Sequence, residues 1–273
     1  NMFRILKVSC DFARGLRCAC PAELAIGPGD YCVFDADKVP EYGEVLAAPV
    51  CEPVEAPQNL PVVLRRATLQ DQSRASENAL MARSARRTCE AKAAHLKMQM
   101  RMVLVRYSLD RSRLTVFFTA DGYVDFRQFV QEVAAELRTR VEMRQIGARD
   151  AAGMIGGYAP CGRQICCSTW LKEFDNVHIK MAKTQGLSLN PAAINGMCGR
   201  LKCCLRFEHE CYLELGRDMP AEGAVVDSPA GRGRVVSRSL LRRKVRVALE
   251  SNSALDFDAG DVRIARSGGT GEE

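Results

Sequence analysis

Apolar and polar positions fall along this chain in blocks of different period. From Phe3 to Val8 they alternate, the period of a half-buried strand. A Gly27–Asp30 turn precedes the strand-like Tyr31–Phe34, and Gly43–Leu46 follows another turn, so residues 2–48 predict a small N-terminal β-barrel. Pro49, Pro53, Pro57 and Pro61 recur every fourth residue, which predicts a linker or an extended crossing segment over 49–61 and a first domain of 2–61. Val62–Leu64 reads as a brief strand. The pattern then turns helical over about 70–100, where Ala75, Ala79, Ala82, Cys89, Ala93, Leu96 and Met100 form one stripe and Arg83, Arg86, Arg87 and Lys97 the opposite face. Thr68 and Asp71 make a capping signal ahead of it. A hairpin (Met102–Tyr107 and Leu114–Thr119), a helix from Asp125 to about Arg138 and a strand at Val141–Ile146 complete a central α/β layer over 62–150. Short strands return over 220–266, predicting an SH3-like, barrel-like C-terminal β segment (216–266) before a disordered tail at 267–273. The fold class is α+β.

Residues 151–215 follow neither period. Cys161-Gly-Arg-Gln-Ile-Cys166-Cys167 is repeated as Cys198-Gly-Arg-Leu-Lys-Cys203-Cys204, with Trp170 and Phe207 three places after each pair. With Cys211, seven of the 13 cysteines lie here. Thiolates are soft ligands for zinc, copper(I) or iron–sulfur clusters, which commonly take four protein donors. Each heptad is thus one donor short: the six thiols can hold one cluster with two to spare, or two clusters completed from elsewhere. Gly162 and Gly199 allow tight backbone turns, and Arg163 and Arg200 are placed to offset thiolate charge. His209 and Cys211 lie outside the repeat, and Cys10, Cys18, Cys20, Cys32 and Cys51 lack convincing ligand spacing. Gly153–Gly157 matches no phosphate loop and reads as flexible approach backbone. Val177–Lys183 is open between strand and helix, and Leu187–Pro191 reads as a bend.

Composition narrows the classes. At 273 residues with 47% hydrophobic and 26% charged content the chain suits a soluble globular protein. No run spans a bilayer and no secretion signal is seen, so a cytoplasmic location without membrane insertion is expected, where cysteine serves metals more than disulfides. The net charge of +6 permits nucleic acid or an acidic partner. Candidate contacts are Arg163, Lys180, Lys183, Arg200, Lys202 and Arg206 among the cysteines, and Arg242, Arg243 and Lys244 in a basic cluster spanning 232–246. No nucleophile elbow, HExxH or convincing acid–base pair is present, so a conventional enzyme is not expected; the vicinal cysteine pairs leave thiol redox activity as a weaker alternative.

Val124–Arg127, Arg140–Asp150, Ile179–Gln185 and Leu187–Pro191, together with the heptads, resemble the RicT (YaaT) family of bacterial proteins with a polymerase-suppressor-protein C-terminal-type domain. The resemblance implies a cytoplasmic regulatory subunit that assembles with small helical partners, RicA and RicF, in a complex carrying [4Fe–4S] clusters. It further implies a role in messenger RNA processing by the endoribonuclease RNase Y, with links to sporulation, competence and biofilm control. Mapped onto this chain, the family cysteines are Cys161, Cys166, Cys167, Cys198, Cys203 and Cys204. The expected function is an iron–sulfur-dependent adaptor binding protein partners; the alternative is a nucleic-acid-binding module with structural zinc and RNA as partner.

Overall fold

The computed structural model describes residues 2–55, 60–171, 174–251 and 253–265. Pro57 of the proline series and the tail at 267–273 lie outside them. The chain divides into two compact units, Asn1–Lys172 and Glu173–Glu273, and the division falls between the two heptads. No helix among the described residues is long and apolar enough to cross a membrane.

The first unit opens with a closed barrel of β1 (Met2–Cys10), β2 (Ala13–Pro21), β3 (Tyr31–Ala36), β4 (Val39–Glu55) and β5 (Val62–Arg66), in the order β1-β2-β5-β3-β4. Leu6, Val8, Cys18, Cys20, Cys32, Phe34, Val45 and Val63 fill it. The β3–β4 turn places Asp37 and Lys38 at φ 55° and 64°, the left-handed pair that a two-residue hairpin matched to strand twist requires. Gly43 is needed where β4 crosses β1: a Cβ there would lie 2.5 Å from Val8 Cγ1 and 2.8 Å from the Ser9 carbonyl oxygen. Of the two readings of 49–61, the extended segment is the one seen up to Glu55, where β4 continues through Pro49 and Pro53 and pairs Val50 with Ile5 and Val54 with Phe3. Each proline falls within a register shift of that pairing, as a residue without a ladder donor must. Val62–Arg66 then closes the barrel.

Helix α1 (Leu69–His95) starts at a full capping box between Thr68 and Asp71. A bidentate bond from Arg65 and the Thr68 donors hold the Asp71 carboxyl below the ordinary range. Ala82, Ala85, Cys89 and Ala93 face the core, but Ala79 of the expected stripe is exposed and Asn78 is buried instead. Asn78 donates to the carbonyls of Ser108 and Leu109 at 2.9 and 3.3 Å, a contact that apolar periodicity does not register. The sheet beneath is β6 (Arg101–Tyr107), β7 (Arg113–Thr119) and β8 (Arg140–Gln145), antiparallel then parallel, with α2 (Arg127–Leu137) crossing between the last two. Barrel and sheet are joined by Arg106, which bonds the buried Glu41 through both terminal nitrogens and Asp11 at 2.8 Å through Nε. Helix α3 (Ala148–Ile155) corrects the reading of Gly153–Gly157 as flexible: its first three residues are helical.

The second unit holds α4 (Ile179–Thr184), α5 (Pro191–Ile194) and α6 (Cys203–Arg217), packed on Ala182, Ile194 and Leu205. Asn190 caps α5 by accepting from the Ala192 amide, with Pro191 at the first helical position. A five-stranded antiparallel sheet follows, β9 (Val225–Ser228), β10 (Gly231–Ser239), β11 (Lys244–Leu249), β12 (Ala254–Asp258) and β13 (Arg263–Ile264), ordered β12-β11-β10-β9-β13. Strand β12 was not foreseen: Ala254–Asp258 carries only two strongly apolar residues, Leu255 and Phe257. Tyr212 and Leu215 of α6 pack against the core of Val226, Val235, Val245 and Val247.

Candidate metal centre

Each heptad is built on a tight backbone loop, and the two loops are the same. In the first, the Gly162 amide donates to Ala159 O at 2.9 Å, Ala159 to Arg163 O at 2.9 Å, Ile165 to Gly157 O at 3.0 Å and Ser168 to Ile165 O at 3.1 Å. In the second, Gly199 donates to Gly196 O at 2.9 Å, Gly196 to Arg200 O at 2.8 Å, Lys202 to Ile194 O at 2.8 Å and Leu205 to Lys202 O at 3.1 Å. Every bond has its counterpart 37 positions later, as do the bridges Tyr158–Gln164 and Asn195–Leu201. Gly162 and Gly199 carry φ +79° and +74°, a left-handed conformation that a side chain would strain. The repeat therefore reaches back to Gly157 and Ile194, beyond the C-G-R-x-x-C-C letters. The cue was thin, because the residues in those extra positions differ between copies.

After the shared loop the copies diverge. Cys203 and Cys204 open the 15-residue α6. Cys166 and Cys167 open only a turn, closed by Thr169 and Leu171 amides on the Cys166 carbonyl. Leu205, Tyr212 and Leu215 give the second copy an apolar stripe to bury, and the first runs on as Ser168-Thr169-Trp170-Leu171. Helix α3 backs the first loop, where a Cβ on Gly153 would stand 3.3 Å from the Cys167 carbonyl oxygen.

Cys161 is exposed and Cys166, Cys167, Cys198, Cys203 and Cys204 are half-buried. Among the described residues no group of three or more His, Cys, Asp or Glu side chains is gathered as a metal site. The donor chemistry and paired loops suit a thiolate-held group; what each loop offers is three soft donors, a part set. Outside the repeat, Cys211 is exposed, and His209 lies half-buried on α6 with a buried Nδ1 that has no hydrogen-bond partner among the described residues.

The other cysteines differ in kind. Cys18, Cys20 and Cys32 sit in the barrel core and Cys89 on the core face of α1. Burial pushes the Cys18, Cys32 and Cys89 thiols up to about 12, and Cys10 likewise. They are neutral packing groups.

The candidate contact residues are dispersed. Arg163 and Arg200 are exposed on the two loops, and Lys180 and Lys183 are exposed on α4. Lys202 is engaged, its Nζ donating to Ala193 O at 2.5 Å, and Arg206 pairs with Glu210 at 3.0 Å and Asp175 at 3.4 Å. Arg242, Arg243 and Lys244 lie exposed at the β10–β11 turn.

Comparison with known proteins matches residues 61–146 to the PSP1 C-terminal conserved region and residues 176–219 to the third domain of PSP1-like proteins. The second match contains the second cysteine loop and α6. The chain is 41% identical over 210 residues to the stage 0 sporulation protein YaaT of Bacillus subtilis (strain 168), an alignment covering 77% of this chain and 76% of that protein. No solved structure matches it.

Proposed function

The chain belongs to the RicT (YaaT) family, and from that premise we propose that it is a regulatory subunit of the sporulation type, not an enzyme. Its cysteine loops hold an iron–sulfur cluster on which binding of protein partners depends. The observation that carries this is the duplicated loop, which keeps six thiols at or near the surface. Cys161, Cys166 and Cys167, with Cys198, Cys203 and Cys204, would hold the group. A [4Fe–4S] cluster supplies an oxidation-sensitive, thiolate-bound core whose integrity is linked to the fold of its ligand loops. The part set in each loop fits ligand completion where a partner docks. The glycine turns and the first turn of α6 hold the sulfurs in place, and Arg163 and Arg200 offset their charge.

The partners this reading implies are small helical proteins of the RicA and RicF kind, and through them RNase Y-type messenger RNA processing in the cytoplasm. Strand order in the C-terminal sheet, with a 3-10 turn at Ala259–Asp261 before the last strand returns to the first, supports an SH3-like partner surface there. The second reading, structural zinc with nucleic-acid binding, draws on the exposed Arg242, Arg243 and Lys244.

Anaerobic purification, with a visible spectrum and iron, sulfide and zinc analysis, tests both. Brown protein with matched iron and sulfide supports the first reading. Colourless protein with stoichiometric zinc and strongly salt-dependent RNA binding replaces it with the second.

A further inference from the structure

We propose that the second unit carries a pocket for a ribonucleoside phosphate, where the helices behind the second cysteine loop meet the basic sheet. A hollow of about 280 Å³ opens between α4, α6 and the β10–β11 end of the sheet, with Lys183, Tyr212, Glu222, Arg238, Ser239 and Leu241 on its walls. Its size is near the lower end for small-ligand sites.

The charges around it set it apart. Elsewhere on the sheet, most cations meet acids or water: Arg246 pairs with Asp256 at 3.6 Å, Lys244 is in register with Asp258, Arg232 and Arg263 both register with Asp227, and Arg234, beside Val225 and Ala248, is exposed. Arg238 instead faces Val245 across the strand, is half-buried, and makes no ion pair among the described residues. Lys183 and Glu222 likewise have no ion-pair partner among the described residues. A guanidinium partly withdrawn from water without a counter-charge is unfavourable, and an anion seated between Arg238 and Lys183 restores the balance. The planar fork of arginine suits phosphate oxygens, and the Ser239 hydroxyl adds a donor on the same wall. Glu222 accepts only and repels phosphate, so its complement is a hydroxyl donor, and a ribose diol is such a group. Tyr212 and Leu241 provide an aromatic and an apolar wall for a base. None of the six heptad cysteines lines the hollow, so this proposal and the cluster reading fail separately.

The test is calorimetric titration of the full chain with adenosine 5′-monophosphate, adenosine, deoxyadenosine 5′-monophosphate and inorganic phosphate. The monophosphate and inorganic phosphate bind, and adenosine binds at least about tenfold more weakly. Arg238→Gln and Lys183→Gln each weaken monophosphate binding by about tenfold, the scale of one charge-assisted bond. Arg246→Gln, on the neighbouring strand and paired with Asp256, leaves it unchanged, and Glu222→Gln removes the preference for the ribose form. Superimposable melting curves show that the variants are folded. No monophosphate binding by the parent chain, or binding retained by the Arg238→Gln/Lys183→Gln double variant, overturns the proposal. Competition with a short oligoribonucleotide separates the two sources of this chemistry. Displacement of the monophosphate only by the 5′-phosphorylated form identifies an RNA 5′ end, and displacement by neither form identifies a free nucleotide. Equal displacement by 5′-phosphorylated and 5′-hydroxyl forms overturns the terminal-phosphate site.

Discussion

The barrel and the heptad loops use the same amino acid in opposite ways. In the barrel, Cys18 and Cys32 are enclosed by Leu6, Phe34 and Val63, and burial holds their thiols protonated to about 12. In the loops, six cysteines sit at or near the surface, on turns held by glycine and at the start of a helix. Surroundings, and not residue type, decide whether a thiol packs a core or lies at or near the surface.

The largest test of this contrast exchanges one cysteine from each side. Cys161→Ser or Cys203→Ser should abolish metal content and partner pull-down while the apo chain keeps its melting temperature. Cys18→Ser should do the reverse, costing about 1–3 kcal/mol of unfolding free energy for a hydroxyl in an apolar core and leaving the metal in place. Metal loss in Cys18→Ser without destabilisation would break the division.

A second test concerns the join that positions the barrel. Arg106→Met strips Glu41, which is 1% exposed, of its bidentate partner and leaves only Arg113 at 3.9 Å. Denaturant unfolding should show a loss of about 3–5 kcal/mol, and an unchanged midpoint would refute the tie.

Smaller effects probe whether the two loops are equivalent. Gly162→Ala and Gly199→Ala each force a side chain into the left-handed region, at about 1–2 kcal/mol apiece. Both should lower metal retention to a similar degree in a chelator competition assay, and a defect in one alone would show that the copies have separate roles.

The last test is pH. A thiol whose folded pKa is raised from 9.0 to about 12 binds its proton more tightly in the native state. Its stability contribution is therefore complete below about pH 9 and is lost as pH rises toward 12. The first unit should lose stability across that window in a urea–pH series, and Cys32→Ala should flatten the loss.

Much of this was readable in the sequence. The Thr68–Asp71 cap, the 102–119 hairpin and the second helix of the core come from local signals, and the observed elements match them. The heptads announced themselves by letter. What escaped depends on contacts distant in sequence. Pro49 and Pro53 left linker and extended segment open because their strand is visible only once β1 lies beside it. The burial of Asn78 has no local signal because its partners are carbonyls some 30 residues away. Helix α6 itself was not read from the sequence, because its stripe serves two cores, Leu205 in one and Tyr212 and Leu215 in the other.

That helix also has a mechanical side. Its 15 residues make a rod about 22 Å long, with Cys203 and Cys204 at one tip and Tyr212 and Leu215 clamped into the sheet toward the other. Leu205, next to the cysteines, seats that tip in a core of its own with Ala182 and Ile194. A rod held near both ends couples them, so that a displacement of Cys203 and Cys204 is carried along α6 to the sheet.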